Sequence, residues 1–226
     1  MPITSAANQL QTTRRVKICG VTQREQALAI AELGADFIGL NFWPGSKRYC
    51  PVEQVEHWWS DLPPASSFVG VFVNADLAEV CETAERAKLS HVQLHGEETP
   101  DFCATLSERG LKVLKAFQVR DEASLDAVEL YPTGDVLLDA FHPIVRGGIG
   151  QTFPWSLALA FKRRFPNRGL WLAGGLTPGN VAEAACGVRP FAMDVASGVE
   201  DGTPGLKNLA LVERFIREAK GSAPLV

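Results

Sequence analysis

No run of about 18 apolar residues occurs in this 226-residue chain, so no membrane-spanning helix is expected. The first residues, M-P-I-T-S-A-A-N-Q-L-Q-T-T-R-R, are polar and lack the apolar core of a secretory signal. Residues 1–14 are therefore read as a flexible polar extension. Basic charge is not in excess: 22 Lys and Arg stand against 26 Asp and Glu, for a net charge of −4. A nucleic-acid surface would need clustered positive charge, so no nucleic-acid partner is expected. Cysteine is sparse and odd in number, at positions 19, 50, 81, 103 and 186. No two are close enough in sequence for a metal or redox motif, so these read as reduced thiols of a cytoplasmic protein without a metal. No Gly/Ser-rich linker or low-complexity stretch divides the chain, and residues 15–226 are read as one domain.

Apolar residues, by contrast, make up 46% of the chain, enough for a sizeable core. They fall into eight short β-branched runs: 15–19, 36–42, 68–73, 91–94, 112–117, 135–139, 170–173 and 190–195. Continuous apolar runs suit parallel strands buried on both faces. Helical patterns alternate with them. The segment 24–33 places Ala27, Leu28, Ile30, Ala31 and Leu33 on one stripe, with Gly34 as a stop. A helix over 52–59 follows Pro51. Asp76, with Glu79 three residues on, begins another that runs to Ala87. Thr99 and Thr177 read as caps before Pro100 and Pro178, and Asp121, Ser156 and Leu206 open the remaining helices. Eight strand–helix units with short connections predict a single-domain α/β fold, the (β/α)8 TIM barrel. An open doubly wound sheet is the alternative.

In such barrels chemistry gathers at the C-terminal ends of the strands. Cys19 closes R-V-K-I-C and Asp139 closes D-V-L-L-D. Cysteine is among the most buried residue types, so a structural thiol is the plain alternative. Its place just before Gly20, with Lys17 on the same strand face, favours chemistry, because an ammonium helps ionise a thiol. Asp139 heads the long glycine-bearing segment D-A-F-H-P-I-V-R-G-G-I-G-Q-T-F-P-W, whose Gly147, Gly148 and Gly150 would permit closure over the site. A-G-G-L-T-P-G-N and D-V-A-S-G-V follow the last two strands, where phosphate commonly binds. Gly174, Gly175, Asp194, Ser197 and Gly198 are the candidate phosphate contacts, because glycine lets backbone N–H groups approach an anion. Lys47 and Arg48 follow the second strand, where an arginine fork would match a carboxylate. His95 reads as a polar contact rather than a catalytic group.

The motifs V-K-I-C-G-V-T, S-K-R-Y, V-G-V-F-V-N, V-Q-L-H-G-E-E, L-L-D-A, G-G-I-G-Q-T-F-P-W, L-A-G-G-L-T-P-G-N and D-V-A-S-G-V-E-D-G-T-P-G-L-K run in order over roughly residues 15–220. Together they resemble the phosphoribosylanthranilate isomerase family. That resemblance implies a cofactor-free enzyme of tryptophan biosynthesis, an aldose–ketose intramolecular oxidoreductase. It would convert N-(5-phosphoribosyl)anthranilate to 1-(2-carboxyphenylamino)-1-deoxyribulose 5-phosphate. It further implies Cys19 as general base, Asp139 as general acid, Arg48 as the contact for the substrate carboxylate, and the residues after strands seven and eight as phosphate ligands. Ile149 and Gln151 depart from the serine and lysine common in the family. Pro154 replaces an aspartate often found before Trp155, so a different helix cap is expected there. A monomer is expected, a homodimer being the alternative.

Two other readings stay open on the residues alone. A sugar isomerase of another pathway could use the same phosphate-binding barrel, although a two-carboxylate design would be expected there. A non-catalytic barrel binding phosphorylated metabolites would leave the conjunction of Cys19, Asp139 and Arg48 without a role.

Overall fold

Eight parallel strands follow one another round a closed barrel. They are β1 (Arg15–Cys19), β2 (Phe37–Asn41), β3 (Ser67–Phe72), β4 (His91–Leu94), β5 (Val113–Val119), β6 (Asp135–Ala140), β7 (Gly169–Leu172) and β8 (Ala192–Val195). The computed structural model describes residues 14–140 and 154–221. Each strand pairs with its neighbours in sequence, and β8 closes on β1 with Lys17 in register with Asp194. The helices are α1 (Arg24–Glu32), α2 (Val52–Val55), α3 (Leu77–Arg86), α4 (Pro100–Glu108), α5 (Asp126–Glu129), α6 (Trp155–Arg164), α7 (Val181–Gly187) and α8 (Leu209–Lys220). The (β/α)8 barrel is thus the architecture, and the open sheet is excluded by the β1–β8 pairing. The expected N-terminal extension (residues 1–14), apart from Arg14, and the glycine-bearing segment with Gly147, Gly148, Ile149, Gly150 and Gln151 lie outside the described residues.

Side-chain caps fix three of the helix starts, those of α3, α4 and α8. Asp76 accepts a hydrogen bond from the Glu79 N–H at 2.8 Å, and Thr99 accepts one from Phe102 with Pro100 in the first turn. Three expected starts move and one expected helix divides. Pro178 does not begin a helix: the Asn180 side chain accepts from the Thr177 N–H, making a turn, and α7 starts at Val181. The last helix begins after Asn208, which accepts from Leu211, rather than at Leu206. Asp121 caps a short turn through Ser124 before α5, and the 52–59 helix splits into α2 and a 3₁₀ turn over Trp58–Asp61. Pro154 supplies no side-chain cap to α6.

Two apolar regions form. One lies between strands and helices; the other fills the barrel with Phe37, Val69, Leu114, Leu137, Trp171 and Ala192. Trp171 is fully buried there, 4.6 Å from Phe37 between ring centroids. Burying such a ring contributes roughly 1.5–3 kcal/mol. This plug is the floor on which the polar layer above it rests.

Candidate active site

The strand period of two sends alternate side chains into the barrel. Cys19 and Lys17 of β1, Asn41 of β2, Gln93 and His95 at β4, Asp139 of β6 and Asp194 of β8 are all on that inward set. With the exception of Lys17, which is buried beneath, these side chains line one cavity of about 360 Å³ at the C-terminal ends of the strands. Arg48, Gly174, Gly175, Ser197 and Gly198 line it too. The eight expected catalytic and binding residues therefore share one cavity, though β1, β2, β6, β7 and β8 supply them from positions far apart in the chain; Lys47 does not line it.

Below Cys19 sits a buried ionic layer. The fully buried Lys17 ammonium donates to Asp194 Oδ2 at 3.0 Å, to Gln93 Oε1 at 2.7 Å and to Cys19 Sγ at 3.3 Å. Burial works against this ammonium, but Asp194 and Cys19 hold its pKa above the ordinary lysine value. The expected thiol–ammonium contact is present; its expected effect is not. Burial dominates and raises the Cys19 pKa, Lys17 pulls it down, Asp194 pushes it up again and Lys207 pulls weakly down, leaving the thiol above its ordinary value. The ammonium is shared with a carboxylate, so it offsets only part of the cost of burying a thiolate. Asp194 Oδ1 is buried without a hydrogen-bond partner among the described residues.

Gly39 of β2 makes room for this arrangement: a Cβ there would lie 2.8 Å from Cys19 Sγ. Gly198 is equally constrained, since a Cβ would overlap the Leu176 carbonyl oxygen. Gly174 and Gly175 adopt φ of +84° and +69°, and their amides have no hydrogen-bond partner among the described residues. Ser197–Val199 form a 3₁₀ turn across from them. Because α7 starts only at Val181, the cavity wall at Gly174 and Gly175 is made of turns rather than of the helix start expected at Pro178.

The Arg48 fork is already engaged. Its Nε and one NH₂ donate to the two oxygens of Glu200 at 2.8 and 2.6 Å. Glu200 also accepts from Lys207 Nζ at 2.6 Å and from the Gly205 N–H at 2.9 Å. Burial opposes the Glu200 charge, but bonds from Arg48, Lys207 and Gly205 hold its pKa down to about 2. Glu200 was not singled out from the sequence. No local pattern ties it to Arg48, 152 residues away. Nor does a local pattern tie Gln93, at the C-terminal end of the fourth strand, to Lys17, which it meets across the barrel. Opposite, His95 Nδ1 lies 2.8 Å from Gln93 Nε2, and His95 Nε2 lies 3.6 Å from Asp139 Oδ2. Both His95 and Asp139 are about one-quarter exposed, facing the cavity.

Among the described residues, no helix is long and apolar enough to cross a membrane, and no group of three His, Cys, Asp or Glu side chains is placed to hold a metal ion.

Comparison with known proteins places this geometry. The family model for N-(5'phosphoribosyl)anthranilate (PRA) isomerase matches residues 16–218. The N-(5'-phosphoribosyl)anthranilate isomerase of Geobacter metallireducens is 48% identical over 206 residues, covering 91% of this chain and 98% of that protein. The crystal structure of the Thermotoga maritima phosphoribosyl anthranilate isomerase superposes with a TM-score of 0.83 at 44% identity, over 92% of this chain and 99% of that one. A further phosphoribosyl anthranilate isomerase structure, in complex with reduced 1-(o-carboxyphenylamino)-1-deoxyribulose 5-phosphate, gives a TM-score of 0.81 at 42% identity, over 92% of this chain and 99% of that one. The chain belongs to the N-(5'-phosphoribosyl)anthranilate isomerase family.

Proposed function

We propose that this chain converts N-(5-phosphoribosyl)anthranilate to 1-(2-carboxyphenylamino)-1-deoxyribulose 5-phosphate, with Cys19 as general base and Asp139 as general acid. The observation that carries the assignment is their place on the rim of one cavity whose far side holds the unspent amides of Gly174 and Gly175. Asp139 gives its proton to the furanose ring oxygen as the C1′–O4′ bond breaks. The anilinic nitrogen lone pair then forms the C1′=N iminium. Cys19 thiolate takes the C2′ proton; the C–H pair becomes the C1′=C2′ bond and the C=N π pair returns to nitrogen. The resulting enolamine gains a proton at C1′ and loses its 2′-hydroxyl proton, giving the ketone. C2′ is oxidised and C1′ reduced, so no external redox partner is needed.

The 5′-phosphate is assigned to the turns bearing Gly174, Gly175, Ser197 and Gly198. Asp194 contributes through its backbone there, because its carboxylate is held by Lys17 and would repel a phosphate. Arg48 is assigned the anthranilate carboxylate. Two of the five guanidinium donors serve Glu200, and the others have no acceptor among the described residues, which leaves them for the substrate. Cys19→Ser and Asp139→Asn each lower kcat by about 10²–10⁴-fold, followed by loss of substrate fluorescence, while a phosphorylated product analogue still binds. Near-parental turnover in both variants refutes the roles.

A further inference from the structure

We propose that Gln93 and His95 are positioning residues that present an N–H to Asp139. This rests on the assignment of Asp139 as the general acid. The chain of donors and acceptors leaves one solution. The Lys17 ammonium has three hydrogens and no lone pair, so whatever touches it must accept. Gln93 meets it at 2.7 Å and therefore turns its carbonyl oxygen to Lys17. Its amide nitrogen, a donor only, then faces His95 Nδ1 at 2.8 Å. Nδ1 must accept, which puts the ring hydrogen on Nε2. The ring nitrogen that carries it lies 3.6 Å from Asp139 Oδ2. The separation exceeds a formed hydrogen bond, and such contacts tighten when substrate is bound.

Gln93 cannot rotate to the other arrangement. Flipping its amide would set two donors, the ammonium and the NH₂, against each other in a site where Gln93 is almost fully buried. Lys17 is itself fixed by Asp194 across the β1–β8 seam. The ionic layer beneath the base thus sets the tautomer of the ring beside the acid. When Asp139 gives its proton to the sugar ring oxygen, its carboxylate is left facing a preoriented N–H. A donor aimed at charge that develops during the reaction lowers the barrel's cost of forming it.

The ¹⁵N spectrum of the histidine ring nitrogens in the uniformly labelled protein tests this directly, with His95 assigned by its absence in His95→Gln. The hydrogen is expected on Nε2; a hydrogen on Nδ1 overturns the proposal. Gln93→Glu offers acceptors to both Lys17 and the ring and is expected to move the hydrogen to Nδ1. Its kcat is expected to fall about 10–100-fold, the range for partners that orient a reacting group, with KM nearly unchanged. His95→Gln can place an amide N–H near the former Nε2 and should keep more kcat than His95→Leu; that comparison stands even where Gln93→Glu fails to fold. Parental kcat in His95→Leu beside an inactive Asp139→Asn overturns this inference alone. Parental kcat in Asp139→Asn overturns the assignment beneath it, and the tautomer remains as measured.

Discussion

Replacing Glu200 by Gln removes the charge that joins the turn after β2 to the turn after β8. In the parent protein Glu200 binds Arg48 through both oxygens and also accepts from Lys207 and Gly205. Its pKa is held at about 2, against an ordinary 4.5. At about 1.4 kcal/mol per decade this difference corresponds to roughly 3 kcal/mol of stability. Because the Arg48 side chain is 26% exposed, solvent screening lowers that to about 2 kcal/mol. The sign follows from proton uptake. The unfolded chain protonates this carboxylate near 4.5, while the folded chain keeps it ionised down to about 2. The stabilisation is therefore complete above pH 4.5 and disappears as pH falls towards 2. Glu200→Gln is expected to melt about 4–8 °C below the parent at neutral pH, and the gap should narrow in a pH series from 6 to 3. Arg48, freed from its tether, should raise KM for the substrate more than it lowers kcat. Equal melting temperatures at neutral pH, or a gap that stays constant down to pH 3, would refute the reasoning.

Further outcomes follow from the same layers. Lys17→Met takes away the ammonium that donates to the Cys19 sulfur, so the rise of kcat/KM with pH should move to higher pH, and alkylation of Cys19, followed by mass spectrometry of the peptide, should slow at fixed pH. His91 lies in the barrel floor, where burial first, then Lys112, Arg15 and Lys17, lower its pKa to about 4. The folded state thus resists a proton that the unfolded chain accepts near 6.5, so stability should fall between pH 6.5 and 4, and His91→Gln should flatten that slope in urea titrations. Gly198→Ala forces a methyl against the Leu176 carbonyl and should weaken binding of inorganic phosphate or a sugar phosphate, read by calorimetry, with much less effect on melting than on affinity.

How far the chain could be read depended on the range of the interaction. Each of the eight strands lies within a few residues of its apolar run, because parallel strands buried on both faces have an unbroken apolar signature. Asp76 and Thr99 were legible as caps, since cap and bonded amide are three residues apart. The same rule misplaced the start of α7: Thr177 and Pro178 have the form of a cap, but the nearby Asn180 takes the Thr177 amide and delays the helix. Splitting of the 52–59 segment also escaped the pattern.

The site divides along the same line. Cys19, Asp139, Arg48 and the glycine turns stand out because each sits at the end of a strand or in a loop that a barrel brings to one rim. Their number and kind were therefore set by the order of residues along the chain. What the order of residues could not supply was the charge balance among them. Only the closed barrel brings Asp194 to share the ammonium of Lys17, and that sharing, with burial, leaves the Cys19 thiol above its ordinary pKa rather than below it. Only the closed barrel brings Glu200 to the Arg48 fork and Gln93 to both Lys17 and His95. Strand ends are a local property of sequence, whereas burial and Coulomb interactions depend on distances through space, which exist only once β8 has met β1.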